Sequence, residues 1–177
     1  MMTRADDPSD RGGAADRSGG ATRRCLLTAL GGGGVALLAG CTGADEGPTY
    51  EEGEVNETDG EPRSAEEMSA AAAVAGGDAT RSATALEALD LRDHEYAVQD
   101  GYKGPTVKGT VANTGEESVD LAEVRVRAYD GDGALLGRYL ASTGDLPAGG
   151  TWRFEVVLLA SADAVADYDV AVVGVPS

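Results

Sequence analysis

The alternation of apolar and polar residues in the second half of the chain constrains its fold more than any other feature. From about Leu91 onward, short runs repeat with a period of two, as strands with one buried face do. Turn residues separate these runs at Asn113-Thr114-Gly115, at Asp130-Gly131-Asp132-Gly133 and at Leu146-Pro147-Ala148-Gly149-Gly150. The separations are too short for the helical crossovers that parallel strands need, so the pattern predicts antiparallel pairing.

These strands, roughly six in about 85 residues, predict an all-β fold, an antiparallel β-sandwich. One face of each strand should form the core. The residues predicted to face inward are His94, Tyr96, Val98, Val107, Gly109, Val111, Val124, Val126, Ala128, the run Leu135 to Leu140, Trp152, Phe154, Val156, Leu158, Tyr168, Val170 and Val172. Trp152 and Phe154 are the only Trp and Phe, and we expect them to dominate the core because aromatic side chains bury large areas.

An export signal is predicted over residues 1–40. Residues 1–21 contain almost no large apolar side chain, which is typical of an unstructured leader. The pair Arg23-Arg24 then precedes sixteen residues, Cys25 to Gly40, without a charge. This segment is too short and too rich in glycine for a permanent span, which needs about 20 apolar residues. A positive start, a short apolar centre and small residues before Cys41 instead favour a cleaved signal.

Two motifs in this signal resemble known export and anchoring sequences. Thr22-Arg23-Arg24-Cys25-Leu26-Leu27 resembles the twin-arginine signal, with Arg23 and Arg24 as the recognised pair. Leu38-Ala39-Gly40-Cys41 resembles the lipobox of prokaryotic lipoproteins, which implies that Cys41 is lipidated and becomes the new N-terminus. The protein would then be anchored to the cell membrane through the lipid on Cys41 and face the extracellular side. A retained N-terminal helix is the alternative.

The charge of the chain excludes some partners. The net charge is −17, and residues 1–40 carry five Arg and four Asp, which leaves 9 basic and 27 acidic residues after position 40. Such a surface repels phosphates and anionic lipid headgroups, so we expect no nucleic-acid partner. Two interpretations remain, solubility in concentrated salt and a cation-binding surface. We favour the first because the acidic residues are spread over the whole mature chain, as in secreted proteins of salt-loving archaea, which this composition resembles.

Residues 41–89 are predicted to connect the anchor to the sandwich. Over residues 42–64, glycine and proline stand among many acidic residues, and the few apolar side chains predict a disordered tether. The sequon Asn56-Glu57-Thr58 makes Asn56 a candidate N-glycosylation site.

A short helix is predicted at the end of this connection. Ser64-Ala65-Glu66-Glu67 is typical of a helix start, the alanine-rich run that follows favours helix, and Gly76-Gly77 should end it. A second short helical piece is predicted from Ala79 to Leu89, where Leu86 and Leu89 form a narrow apolar edge. A mobile stalk is the alternative for this region.

Residues 90–177 contain a series of motifs that a known family shares. They are Val111-Ala112-Asn113-Thr114-Gly115, Val124-Arg125-Val126-Arg127-Ala128-Tyr129-Asp130, Gly133, Leu146-Pro147-Ala148-Gly149 and Phe154. In these residues the chain resembles the FxLYD domain. The motif that names the family falls at positions 126–130, with Val126 for Phe, Ala128 for Leu, and matching Tyr129 and Asp130. The resemblance implies an immunoglobulin-like β-sandwich in an exported lipoprotein, and it implies no catalytic residue.

No chemistry-bearing motif accompanies this fold, so we expect no catalytic residue, metal site or cofactor. His94 is the only histidine and lies on a predicted strand, where a structural role is favoured over a catalytic base. The only cysteines, Cys25 and Cys41, belong to the export segment. The Asp-Gly repeat that begins at Asp130 lacks the spacing of an EF-hand loop and favours a tight turn.

The sequence therefore predicts a non-catalytic, lipid-anchored surface protein that presents a small β-sandwich as an interaction or accessory module for a protein partner. The alternative is a ligand-binding lipoprotein associated with a transporter. A sandwich of about 85 residues leaves little room for a pocket, so a small-molecule ligand is not expected. An enzyme without a recognisable motif is a third class.

Overall fold

Seven strands form two antiparallel sheets in the computed structural model, which describes residues 47–177. The elements in chain order are β1 (Glu51–Glu54), α1 (Ala65–Ala75), β2 (Leu89–Gln99), β3 (Gly104–Asn113), β4 (Val119–Tyr129), β5 (Leu135–Leu146), β6 (Thr151–Val157), a 3-10 turn (Ala162–Ala164) and β7 (Asp167–Pro176). The longest helix in this range, α1, has only 11 residues, and none of the helices there could span a bilayer.

The sheets have the orders β1-β7-β4-β5, called sheet A here, and β2-β3-β6, called sheet B. The hairpins β2–β3 and β4–β5 each remain within one sheet, and the chain then returns to sheet B with β6 and to sheet A with β7. Every strand pairing is antiparallel. The prediction of an all-β antiparallel sandwich is confirmed.

The core lies between the sheets and consists mainly of valines and aromatic side chains. Its buried members include Val107, Val111, Val124, Val126, Val156, Val170, Tyr96, Tyr139, Phe154 and Tyr168. Burial of one such side chain contributes about 1.5–3 kcal/mol. Phe154 is buried as predicted, but Trp152 is only half-buried and packs at the margin of this cluster. The prediction for Trp152 is wrong because it lies near the start of β6, an edge strand with a neighbour on one side only.

The start of β5 also differs from the prediction. Leu135 and Leu136 are exposed, whereas Tyr139 further along the strand is buried. The sequence predicted a hairpin strand over Leu135 to Leu140 with its leucines in the core. The hairpin is confirmed, but its first leucines stay outside because β5 is an edge strand and because the register with β4 shifts next to Tyr129, where the hairpin begins.

The predicted disordered tether is wrong at residues 51–54, which form β1 and extend sheet A beside β7. The register places Glu51 opposite Val170 and Glu54 opposite Asp167. A Cβ on Gly53 would lie 2.1 Å from the ring of Tyr168, so only glycine allows this close approach. Backbone hydrogen bonding to a sheet edge needs no apolar side chain, and hydrophobic patterning therefore did not predict this strand.

Helix α1 is confirmed at both ends. The Ser64 side chain accepts a hydrogen bond from the backbone N–H of Glu67, and the Glu67 carboxylate accepts one from the backbone N–H of Ser64, which completes a capping box. The helix ends at Gly76. Of its residues only Ala71 is buried, so the helix contributes one small apolar contact to the sandwich.

The second helical piece, predicted from Ala79 to Leu89, is wrong. The segment contains turns at Arg81-Ser82 and at Glu87-Ala88, and between them Thr84 and Gly174 exchange two backbone hydrogen bonds of 3.0 and 2.8 Å across an isolated bridge. Leu86 packs against the core, so its apolar edge docks as expected but without a helix. The pairing of Thr84 with Gly174 near the end of β7 takes the place of backbone hydrogen bonds that a helix would have made locally.

Residues 47–88 thus form a belt around the sandwich. After β1, Arg63 donates hydrogen bonds to the backbone carbonyls of Tyr102 (2.9 Å), Lys103 and Leu158 (2.8 Å). The belt then passes over the outer face of sheet A, where Gly77 lies against Leu140. On the outer face of sheet B, by contrast, charged side chains such as Glu95, Arg153 and Glu155 remain exposed.

Candidate functional site

Most residues predicted to carry export and anchoring lie outside the described residues. These are Arg23, Arg24, Leu38, Ala39, Gly40 and Cys41. Asn56, the candidate glycosylation site, is described and lies exposed just after β1. Its position makes the amide accessible, and glycosylation itself stays a prediction.

His94 connects the two sheets. Its Nδ1 lies 2.9 Å from the hydroxyl oxygen of Tyr168, and the two rings meet edge to face with centroids 5.6 Å apart. Burial raises the pKa of Tyr168 to about 12, so this hydroxyl stays protonated at neutral pH and can donate or accept in the pair. The arrangement joins β2 of sheet B to β7 of sheet A.

The Asp-Gly turn stabilises its own backbone. The Asp130 carboxylate accepts hydrogen bonds from the backbone N–H groups of Asp132 (2.9 Å) and Ala134 (2.8 Å). The prediction of a tight turn is confirmed. Over residues 47–177 no group of three or more potential ligands is arranged to hold a metal ion.

A buried ion pair fixes the belt to the outer face of sheet A. Arg125 Nε lies 2.7 Å from Glu123 Oε1, and the Glu123 side chain is only 1% exposed. The backbone N–H of Thr80 donates to Glu123 (3.1 Å), and the Thr80 carbonyl accepts from Arg125 Nη2 (2.9 Å). Glu123 and Arg125 are therefore each paired with the other on β4, and each also forms a hydrogen bond with the Thr80 backbone of the belt, as a buried ion pair requires.

A second ionic group lies beside it. Arg127 contacts Asp169 through Nε (2.7 Å) and through Nη2, which is the two-point geometry that guanidinium and carboxylate groups favour. The ring of Tyr50 covers the guanidinium at 3.6 Å, and the Tyr129 hydroxyl donates to Asp169 (3.3 Å). The hydrogen bonds to Asp169 raise the pKa of Arg127, and burial together with the Asp169 charge raises the pKa of Tyr129.

Between these groups and the belt lies a cavity of about 320 Å³. It is lined by Tyr50, Gly77, Asp78, Ala79, Arg125, Val126, Arg127, Arg138, Tyr139 and Leu140. We call it the arginine cavity because three guanidinium groups border it. The alternation along β4 placed Arg125 and Arg127 on the outer face. Nothing in the sequence indicated that the belt, which was predicted to be a tether and a helix, would cover these two side chains.

The comparisons with known proteins add little to this geometry. No family model matches the chain, and no solved structure matches it. An uncharacterised protein of Methanocaldococcus jannaschii is 28% identical over 86 residues, which are 48% of this chain and 63% of the relative. The chain thus spans less than two thirds of that relative's length. The sandwich is therefore established by the structure, and the resemblance to FxLYD domains stays a prediction.

Proposed function

We propose that this chain is a lipid-anchored protein of the cell surface that presents its β-sandwich as a non-catalytic interaction or accessory module. The observation that carries the proposal is the order of motifs in the first 41 residues, in which the Arg23-Arg24 pair, an uncharged segment and Leu38-Ala39-Gly40-Cys41 follow one another. The resemblance of residues 90–177 to FxLYD domains, a family common in exported prokaryotic lipoproteins, supports the proposal, and the acidic composition suits concentrated salt.

The position of β1 defines the geometry of such an anchor. Folded backbone already extends sheet A at Glu51, ten positions after Cys41. A fully extended chain spans at most about 3.3–3.6 Å per residue, so the lipid would hold Glu51 within roughly 35 Å of the membrane surface. The tether is shorter than the sequence predicted, and the sandwich would sit next to the bilayer.

The edge of sheet A offers the module a surface for a protein partner. Strand β5 runs for 12 residues and, among residues 47–177, pairs with β4 alone. Leu135 and Leu136 are exposed at its beginning. An extended segment of a partner could pair with this edge, which is a common mode of peptide recognition.

Replacement of Cys41 by Ser in the native host tests the anchor. We expect the variant to appear in the medium or to accumulate as the unprocessed precursor, whereas wild-type protein carries a lipid on an N-terminal Cys41 by mass spectrometry. A Cys25→Ser variant is the matched control and should remain anchored. A Cys41→Ser protein that stays in the membrane at the mature size would contradict the proposal. Replacement of both Arg23 and Arg24 by Lys should block export if the twin-arginine route is used.

A ligand-binding lipoprotein associated with a transporter is the second candidate, and the arginine cavity favours it. Its volume of about 320 Å³ lies at the lower end of the range for small-molecule sites. Three arginines at one cavity are conspicuous in a chain with only 14 basic residues and a net charge of −17.

A further inference from the structure

Two arginines of the arginine cavity are directly opposite in the strand register, Arg127 on β4 and Arg138 on β5. Like charges at such positions destabilise a sheet. Asp169 neutralises Arg127, whereas the exposed Arg138 has no hydrogen bond or ion pair with any residue between 47 and 177. The strand side of the cavity therefore has a positive charge that no described side chain pairs.

The charges around the cavity limit what can bind there. Glu123 and Asp169 neutralise Arg125 and Arg127, which leaves Arg138 on the sheet and Asp78 on the belt as the remaining charges of the lining. The lining as a whole is therefore neutral, and a ligand with one carboxylate and one ammonium group matches it, whereas a divalent anion would be in excess.

Two guanidinium groups keep donors for such a ligand. Arg125 and Arg127 each use Nε and Nη2 within the described part of the chain, and neither Nη1 has a partner there. Guanidinium groups bind carboxylates through paired N–H donors, which gives both affinity and orientation.

The remaining walls indicate the rest of the ligand. Leu140 and the ring of Tyr50 supply apolar surface, and Asp78 of the belt lies on the opposite side from the strands, where it can receive an ammonium group. The size of the cavity suits a body of several carbon atoms.

We propose that the arginine cavity binds the α-carboxylate of an amino acid with an apolar side chain, either free or as the C-terminal residue of a polypeptide. Arg138 supplies a positive charge that no described side chain pairs, Arg125 and Arg127 supply free donors, and Leu140 contacts the side chain. The inference deepens the second candidate function and does not depend on the lipid anchor, so it can fail or succeed independently of the Cys41 experiment.

Thermal unfolding of the full-length protein, with L-leucine as the first probe at fixed KCl concentration, tests the proposal. We expect the midpoint to rise with leucine concentration, because a ligand that binds only the folded state stabilises it. Leucinamide, which lacks the carboxylate, and inorganic phosphate should leave the midpoint unchanged. Equal shifts with leucine and leucinamide, or no shift with any carboxylate, would overturn the proposal.

Two further probes distinguish the sources of the carboxylate. N-acetyl-leucine and a short N-acetylated peptide that ends in leucine keep the carboxylate but have an amide in place of the ammonium group on the leucine α-carbon. Binding tighter for leucine than for these probes indicates the free amino acid and a role for Asp78. Binding tighter for the peptide, and lost when its C-terminus is amidated, indicates the end of a polypeptide.

The variant Arg138→Gln isolates the charge that the proposal requires. Its apparent affinity for leucine should fall about tenfold or more, as expected when a charged hydrogen-bonding partner is lost. Arg153→Gln is the matched control, because Arg153 is exposed like Arg138 but lies on sheet B, away from the arginine cavity, so this variant should bind leucine like the wild type. If both variants bind leucine like the wild type, the cavity does not recognise the carboxylate.

Discussion

The outer faces of the two sheets carry similar side chains in different surroundings. On sheet B, Glu95 and Lys108 form an ion pair of 3.2 Å, and their side chains are 68% and 44% exposed. On sheet A, Glu123 and Arg125 form a pair of 2.7 Å with exposures of 1% and 22%, because the belt covers them. The comparison shows that a strand pattern of alternating acid and base does not reveal whether an ion pair is solvated or buried.

The difference arises from a part of the chain that looks unlike a sandwich. The belt supplies the Thr80 backbone groups that complete the Glu123–Arg125 pair. Exposed pairs contribute about 0–1 kcal/mol, whereas a buried charge that loses its partner costs several kcal/mol. The Glu123–Arg125 pair on sheet A should therefore depend on the belt, and the Glu95–Lys108 pair on sheet B should not.

Replacement of Glu123 by Gln should have the largest effect. We expect the free energy of unfolding to fall by about 3 kcal/mol, because Arg125 would remain partly buried without its counter-charge. Glu95→Gln on sheet B is the matched control and should change it by less than about 0.5 kcal/mol. Denaturant unfolding measures both, and equal costs would show that the belt does not desolvate the pair.

The salt dependence of these two variants sharpens the comparison. At 1 M salt the screening length is about 3 Å, so any contribution from the exposed Glu95–Lys108 pair should vanish. The cost of Glu123→Gln should persist because ions do not reach a covered pair. A cost for Glu123→Gln that disappears in salt would mean that the face of sheet A is open to solvent.

Replacement of Gly53 by Ala should break the beginning of the belt. The added Cβ would meet the Tyr168 ring at 2.1 Å, so β1 must move away from β7, at a cost of about 1–3 kcal/mol. Gly131→Ala is the control, since a Cβ there has nothing within 4 Å, and its effect should stay below about 1 kcal/mol. If Gly53→Ala is as stable as Gly131→Ala, β1 is not packed on Tyr168.

Alkaline pH should weaken the interior that both sheets share. Burial raises the pKa values of Tyr96 and Tyr168 to about 12, above the value of about 10 for tyrosine in an unfolded chain. The contribution of these two tyrosines to the free energy of unfolding is therefore fully present below about pH 10. It is lost as the pH rises toward 12, because the tyrosines of the unfolded state release their hydroxyl protons at lower pH than those of the folded state. The free energy of unfolding should therefore decrease over that range.

Tyr96→Phe tests this pH dependence. The Tyr96 hydroxyl is buried without a hydrogen-bond partner among the described residues, so its removal should cost little at pH 8 and should make the decrease above pH 10 shallower. A decrease as steep as in the wild type would assign the alkaline sensitivity to other groups.

Ser64→Ala should have the smallest of these effects. The capping box at the start of α1 loses the side-chain acceptor for the Glu67 N–H, which costs about 1 kcal/mol of helix stability. Circular dichroism during thermal unfolding measures the change. Ser69→Ala is the control, since Ser69 lies inside the helix and bonds only to Ala65, and it should be neutral. Equal losses in the two variants would contradict the capping role.

The sequence predicted the strands of residues 89–176 well, because one face of each is buried and period-two alternation reports burial. It also predicted α1, whose capping residues are local. It did not predict β1, because Glu51 to Glu54 contribute backbone hydrogen bonds and almost no apolar surface. Glu123 shows the same limit. The alternation along β4 places it on the outer face of sheet A, and its burial depends on Thr80, which is 43 residues away in the sequence.

The arginine cavity was not predicted for a related reason. Arg125 and Arg127 lie on β4 and Arg138 lies on β5. Gly77 and Asp78 of the belt line the side of the cavity opposite these strands. Each arginine alone is ordinary for an outer strand face. Their convergence depends on the strand register and on the path of the belt, and neither of these is encoded in local patterning.

Hydrogen exchange along the belt tests the central claim most directly. The account predicts that amides of β1 and the Thr84 amide exchange far more slowly than those of an unstructured chain, and that they lose protection together with their partners on β7 as denaturant is added. Exchange of residues 51–54 and 84 at unstructured rates, with residues 89–176 still protected, would contradict it.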